Sequence, residues 1–359
     1  MTTYGIWKIT TLADHIEQDA KEKGEDVCIS VYHELPIQMK VKGANFIRYL
    51  ILFACLLMTG SSNIANLSAV SVELSTNLDF NLYLTKLLVT AFFCSIMIFI
   101  VEPERIKTIL IIVTATLIAM VGMVMGYSGK IIHENQQIPN NNLVQYTMFN
   151  FANMGVFLGV SSYAFESIGS IFNVRRVMQQ RSAMPRLQIG AFIFIAATYY
   201  VTGLLVYLAY GNNNVKDLVF KYYSMETSPV MNSLGYIFCA TCIFNIPFNI
   251  IALIENLEAL PALRKFFMTN GDISRVKVTL ARIFAIVLSM AVTLITDNIA
   301  RILSLTGSLA APLISYIIPL ALYWQFKKPS KFMYIHDGIV MALGLVIGGF
   351  GIYSTIYFE

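Results

Sequence analysis

Long apolar runs alternate with short polar stretches from about residue 46 to the end of the chain. Nine of these runs, 46–72, 82–101, 108–127, 147–172, 189–210, 231–253, 278–295, 303–324 and 339–357, have the length and character that an α-helix needs to cross a bilayer, about 20 mostly apolar residues. None alternates with a period of two, so backbone satisfaction in lipid calls for helices. The pattern predicts an all-α, polytopic membrane protein with about nine transmembrane helices. It divides the chain into a polar N-terminal segment, 1–45, and a transmembrane helical domain, 46–359. The stretch TTYGIWKITTLADHI, residues 2–16, is too short and too polar to span. It is expected to form an amphipathic surface helix or the tail of a further span. Residues 1–45 lack the apolar core of a signal peptide.

Composition agrees with this pattern. Hydrophobic residues make up 57% of the 359 positions and charged residues 13%, against about 25% charged in a soluble domain. Nineteen lysines and arginines, counting Arg48 at the edge of the first run, lie before that run or between alternate runs, whereas the other loops hold only Lys130, Lys216, Lys221 and Arg301. Such a bias places the richer side in the cytoplasm. The N-terminus is therefore expected to be cytoplasmic and the C-terminus extracellular or lumenal, in a plasma membrane or a lysosomal or vacuolar membrane. No basic block is present, so nucleic acid is not an expected partner; the lipid bilayer is. The cysteines, Cys28, Cys55, Cys94, Cys239 and Cys242, have no zinc-site spacing. All but Cys28 read as small apolar residues within runs. Tyr146, Tyr210, Trp324 and Tyr357 sit at the ends of runs, as an interfacial belt does.

The polar residues inside the runs are the candidates for function, since they are costly in hydrocarbon. The fourth run contains GVSSYAFESIGSIF, residues 159–172. On a helix Gly159, Ser162, Glu166 and Gly169 fall on one face. That face packs against other helices or lines a water-filled cavity. Glycine and serine, including Ser161, Ser167 and Ser170, also lower the cost of unwinding. Asn63 and Asn66 in the first run share a face. So do Asn245 and Asn249 in the sixth, on either side of Pro247, which removes a backbone hydrogen bond. A polar site and plain interhelical hydrogen bonding both fit these asparagines. In the eighth run Gly307, Ser308, Pro312 and Pro319 predict close packing and a kink. The four histidines, His15, His33, His133 and His336, lie outside the runs with no ligand spacing. No catalytic or metal cluster is evident, so an enzyme is the weakest reading, and no cofactor is expected. Nine runs and a cytoplasmic N-terminus also argue against a seven-helix receptor.

The run YAFESIGSIFNVRRVMQQRSAMPRLQIG, residues 163–190, followed by YLAYG at 207–211, resembles the sixth-helix signature of the amino acid/auxin permease family. NIPFNIIALIE at 245–255 resembles its eighth helix. Residues 281–320, with the motif at Leu305–Ser308, resemble its ninth and tenth. The likeness runs from about residue 4 to the end and is closest to the proton-assisted amino acid transporter branch. Ser167 and Tyr163 depart from the family's usual glycine and phenylalanine. The resemblance implies an inverted-repeat, LeuT-like fold of eleven helices, of which the nine runs match the third to the eleventh. It implies transport of small neutral amino acids, with coupling to protons or Na+. In that fold two broken helices cradle the substrate. The fourth run is the second of them, with its break expected at 159–165. Substrate-binding candidates are then Gly159, Ser161, Ser162, Tyr163, Phe165, Asn63, Asn66, Asn245 and Asn249, and Glu166 is the gating or coupling candidate. The partner broken helix would precede residue 1. The expectation is thus a partial transporter fold, and the alternative is a truncated, non-transporting membrane protein such as a regulator or sensor.

Overall fold

The structure, a computed structural model, describes residues 1–24, 29, 31–99, 106–136, 146, 147, 151–166, 171, 172, 174, 175, 178, 180–211, 229–258, 260–269, 272–296, 298–327 and 329–357. The chain is all-α and polytopic. Its helices are α1 (Thr2–Glu22), α2 (Leu35–Gln38), α3 (Ala44–Leu78), α4 (Leu82–Phe99), α5 (Ile106–Gln136), α6 (Phe151–Ala164), α7 (Met184–Tyr210), α8 (Pro229–Glu258), α9 (Pro261–Phe267), α10 (Arg275–Ile295), α11 (Ile299–Ala311), α12 (Ile318–Phe326) and α13 (Lys331–Tyr357). A hairpin of two-residue strands, Met268–Thr269 and Asp272–Ile273, links α9 to α10. Among the described residues seven helical stretches are long and apolar enough to cross a membrane, with α11 to α12 counted as one, and two shorter apolar helices lie at Leu82–Ile98 and Met154–Ala164. Together they occupy the nine apolar runs.

Three local features refine the pattern. α3 runs for 35 residues, about 52 Å at 1.5 Å per residue. It continues past the last apolar residue of the run and carries Glu73 and Asn77 on the helix. α7 ends where Gly211 adopts φ +68° and its N–H returns to the Tyr207 carbonyl at 2.8 Å. Glycine takes that left-handed conformation without strain. The irregularity expected in the eighth run is a π-helical turn, Pro312–Ile317, between α11 and α12. Pro312 cannot donate, and the wider turn absorbs the misfit. Pro247, in contrast, lies inside a continuous α8.

Contacts divide the chain into two compact units. The first comprises Met1–Met58, Phe151–Ala196 and Ala300–Glu359, the second Thr59–Asn150 and Ala197–Ile299. In the first unit α1 buries a stripe of Ile6, Ile9, Leu12 and Ala13 together with Ile314, Ile318 and Leu322. Gly5 sits on the Ser315 carbonyl of the π turn, too close to admit a Cβ. α1 is thus a packed helix. Its recurrence of apolar residues at three and four positions, with Gly5 at the closest approach, supplies the fit. In the second unit the core is Leu67 and Val70 of α3, Val89, Phe93 and Met97 of α4, Cys239, Cys242, Ile246 and Ile250 of α8, and Ile286 and Met290 of α10.

Candidate functional site

The first group of candidates lies in the first unit, on α6. This helix has no charged residue, and its glycines set its packing. A Cβ on Gly155 would overlap the Ser354 side chain of α13. One on Gly159 would meet Ser304 and Ser308 of α11, and one on Gly307 would overlap the Gly159 carbonyl. Three helices therefore meet at backbone distance along α6, α11 and α13. Ser162 is buried and Ser161 half-buried. The Tyr163 hydroxyl donates to the Met58 carbonyl at 3.3 Å. Phe165 rests its ring 6.0 Å from that of Phe192.

The break is displaced from its expected place. The helix runs through Gly159 to Ala164, because its small residues are held against α11 and α13, and it leaves helical geometry at Phe165 and Glu166. The Glu166 N–H reaches the Tyr163 carbonyl at 3.1 Å, a tightened last turn. Glu166 therefore follows the helix and does not continue the face of Gly159 and Ser162. It is half-buried, within electrostatic reach of Tyr32 and Cys55. Burial pushes the Tyr32 hydroxyl well above its ordinary value, and Cys55 and Glu166 add to this. Ser167, Gly169 and Ser170 lie outside the described residues, as does Cys28.

The second group lies in the second unit, between α3 and α8. The Asn249 amide donates to the Ser62 hydroxyl at 2.8 Å. Asn63 is fully buried, and neither of its amide atoms has a hydrogen-bond partner among the described residues; the same holds for the Asn66 amide nitrogen. Asn245 is half-buried. A buried donor and acceptor without partners cost about 1–3 kcal/mol each. The structure thus brings Asn249 to the α3 group, and gathers Gly159, Ser161, Ser162, Tyr163 and Phe165 separately on α6.

Sequence reading missed the buried charges Lys8, Glu73, Lys86, Arg175 and Asp337. Lys8 and Asp337 are both fully buried, 3.5 Å apart. Asp337 accepts from the Tyr4 hydroxyl at 2.5 Å and from the Trp324 indole N–H at 2.8 Å. The Lys8 ammonium lies 3.8 Å from the centroid of the Tyr323 ring. Trp324, expected in an interfacial belt, gives its indole N–H to this site. Glu73 of α3 is 7% exposed and accepts from the Asn77 amide at 3.0 Å. Its signal was present as an acid four residues before an amide, but it lies just past the end of the apolar run.

Outside the spans, Arg175 is buried with its guanidinium on Asp14 and, at 2.8 Å, on Glu17, which also receives Arg181 at 3.2 Å. Burial alone would raise the Glu17 carboxyl. Hydrogen bonds from Arg175 and the Ile29 N–H, with the charges of Arg175 and Arg181, bring it below the usual carboxylate range instead. Burial, aided by Arg48, lowers His33 to about 4. Among the described residues no group of three His, Cys, Asp or Glu is arranged to hold a metal.

A family model described as transmembrane amino acid transporter protein matches residues 1–357. Amino acid transporter ANT1 of Arabidopsis thaliana is 24% identical over 208 residues, 55% of this chain and 48% of that protein. Vacuolar amino acid transporter 3 of Saccharomyces cerevisiae is 24% identical over 321 residues, 85% of this chain and 45% of that protein. Amino acid transporter AVT3B of Arabidopsis thaliana is 24% identical over 212 residues, 57% of this chain and 48% of that protein. The chain spans about half the length of the relatives it matches.

Proposed function

We propose that this chain, which belongs to the transmembrane amino acid transporter family, carries small neutral amino acids across a membrane by secondary active transport. The observation that carries this reading is the family match over residues 1–357. The relatives' names support the cargo, and the yeast relative's name supports a vacuolar membrane. The excess of lysine and arginine in alternate loops supports a cytoplasmic N-terminus and an extracellular or lumenal C-terminus.

In this reading the substrate is held by uncharged groups. The end of α6 supplies backbone polar atoms where the helix stops, around Tyr163 and Phe165, with Ser161 and Ser162 in its last turn and Gly159 just before it. Such helix interruptions are how transporters expose hydrogen-bonding groups at membrane depth. A separate candidate place in the second unit, Asn63 and Asn66 with Asn245 and Asn249, offers amides that hydrogen-bond without demanding a charged side chain. Glu166, just beyond the helix end, gates or couples. The driving ion is H+ or Na+.

The test is uptake of a labelled neutral amino acid by vesicles holding the purified chain, with imposed gradients of H+ or Na+. Uptake supports the reading. Its absence favours a membrane protein that regulates or senses without transporting. With Glu166→Gln, lost uptake at unchanged abundance supports gating, and unchanged uptake removes Glu166 from the mechanism.

A further inference from the structure

The connection between α8 and α10, all of it in the second unit, is built rather than loose. α9 turns Leu263 and Phe267 inward onto Ile254 of α8 and Val278 of α10. The hairpin pairs Met268 with Ile273. The Ser274 N–H returns to the Phe267 carbonyl at 2.9 Å, and the Lys277 ammonium donates to the Met268 carbonyl at 3.0 Å.

This fixed element holds apolar side chains outward. Phe267 is 3% exposed, but its neighbour Phe266 is 61% exposed. Ile273 and Val276 are exposed as well. A flexible loop could fold such side chains away; here the backbone is tied on both sides of them. They also continue a stripe. On α10 Val276, Leu280 and Phe284 recur every four residues and all are exposed, so they share one face. α10 is long and apolar enough to cross the membrane, and lipid covers that face. Val276 lies in its first turn, and Ile273 stands three residues earlier. The lipid-covered surface therefore runs from the span into the hairpin.

The charge beside that surface has one sign. Between Leu260 and Lys277 the chain carries Arg264, Lys265, Arg275 and Lys277 against the single acid Asp272. Arg264, Lys265 and Arg275 are exposed. The Lys277 ammonium lies 5.6 Å from the centroid of the Phe266 ring. The acids near the end of α8, Glu255 and Glu258, lie beside Arg282 of α10 instead. Exposed apolar side chains flanked by cations match the boundary between acyl chains and anionic headgroups. Long basic side chains reach from that depth to the phosphates.

We propose that α9, the hairpin and the first turn of α10 form an interfacial anchor that binds anionic phospholipid. Phe266, Ile273 and Val276 enter the acyl edge of the leaflet, and Arg264, Lys265 and Arg275 meet the headgroups. The inference goes beyond the transport reading and does not depend on it. The cytoplasmic side proposed for this connection is the one whose leaflet is richer in anionic lipid.

Two measurements test it on the full chain in phosphatidylcholine vesicles. The first compares spin-labelled phosphatidylserine with spin-labelled phosphatidylcholine by the fraction of each that the protein immobilises. Wild type is expected to prefer phosphatidylserine by about twofold or more at low salt and to lose the preference in molar salt. Arg264→Gln/Lys265→Gln/Arg275→Gln is expected to lose most of it. Lys21→Gln/Lys23→Gln/Lys42→Gln, which removes the same charge from exposed positions elsewhere, is expected to keep it. No preference in wild type, or an equal loss in both triple variants, overturns the proposal. The second reads depth. Phe266→Trp and Ile273→Trp are each compared with wild type, whose own tryptophans supply the background. The added fluorescence is expected to be quenched by lipids brominated on the acyl chain and spared by aqueous iodide. Quenching by iodide without quenching by brominated lipid places these side chains in water and overturns the proposal.

Discussion

The two units give buried polar groups different partners. The first pairs charge with charge, Lys8 with Asp337 and Arg175 with Asp14 and Glu17, while burial lowers His33 to about 4. The second uses carbonyls and amides: Lys86 on the Thr293 carbonyl, Asn77 on Glu73, Asn249 on Ser62, and Asn63 with both polar atoms unpartnered among the described residues. An amide donates and accepts alike, whereas an ammonium or guanidinium only donates.

The sharpest break of this contrast is Asp337→Asn. It leaves the Lys8 ammonium buried and unpaired, at an expected cost of about 3–5 kcal/mol, read as a fall in the thermal midpoint of the purified protein. Adding Lys8→Met is expected to restore much of it.

Acid sharpens the contrast next. His33 titrates near 4 when folded and at its ordinary 6.5 when unfolded. As pH falls between those values the unfolded chain binds the extra proton, so stability drops, by up to about 3 kcal/mol. Glu17 acts in the same direction. Its folded value is depressed, so its contribution is present above the ordinary carboxylate range and is lost as pH falls through the folded value. Thermal midpoints across that range are expected to flatten in His33→Gln.

Packing separates the units in a further way. Gly307→Val drives a side chain into the Gly159 carbonyl and is expected to cost about 1–3 kcal/mol. At Gly126 of α5 a Cβ would meet nothing within 4 Å, so Gly126→Val is expected to leave the midpoint nearly unchanged. The smallest effect is expected at Asn63→Leu. It removes two polar atoms that are unpartnered among the described residues and is expected to raise the midpoint modestly, while substrate binding in a direct binding assay falls if Asn63 contacts the guest.

How much of this was legible in the sequence follows from the range of each interaction. The membrane helices were legible because apolar runs report on their own surroundings. The family signature at 163–190 was legible because its motifs are contiguous. The Asp337 site was not, because Tyr4 and Asp337 stand 333 positions apart and no local pattern joins them. Lys8 and Arg175 even looked like ordinary loop charges. Glu73 was passed over because hydropathy ends the first run at residue 72, whereas backbone hydrogen bonding carries the helix on to Leu78. The place where α6 ends was misjudged because glycine reads locally as a weak point. In the folded chain Gly159 is a contact surface, and the helix around it is held by its neighbours.

That contact surface has a consequence for natural variation. Where α6, α11 and α13 meet, a Cβ at Gly159, Gly307 or Gly351 would overlap the backbone or a serine side chain of the facing helix, and any replacement there adds atoms where there is no volume. Variants at these three codons are to be read first as damaging, however mild the exchange looks on a substitution scale. Exchanges at Gly122, Gly126 and Gly129 of α5, which have open space beside them, are to be read first as benign.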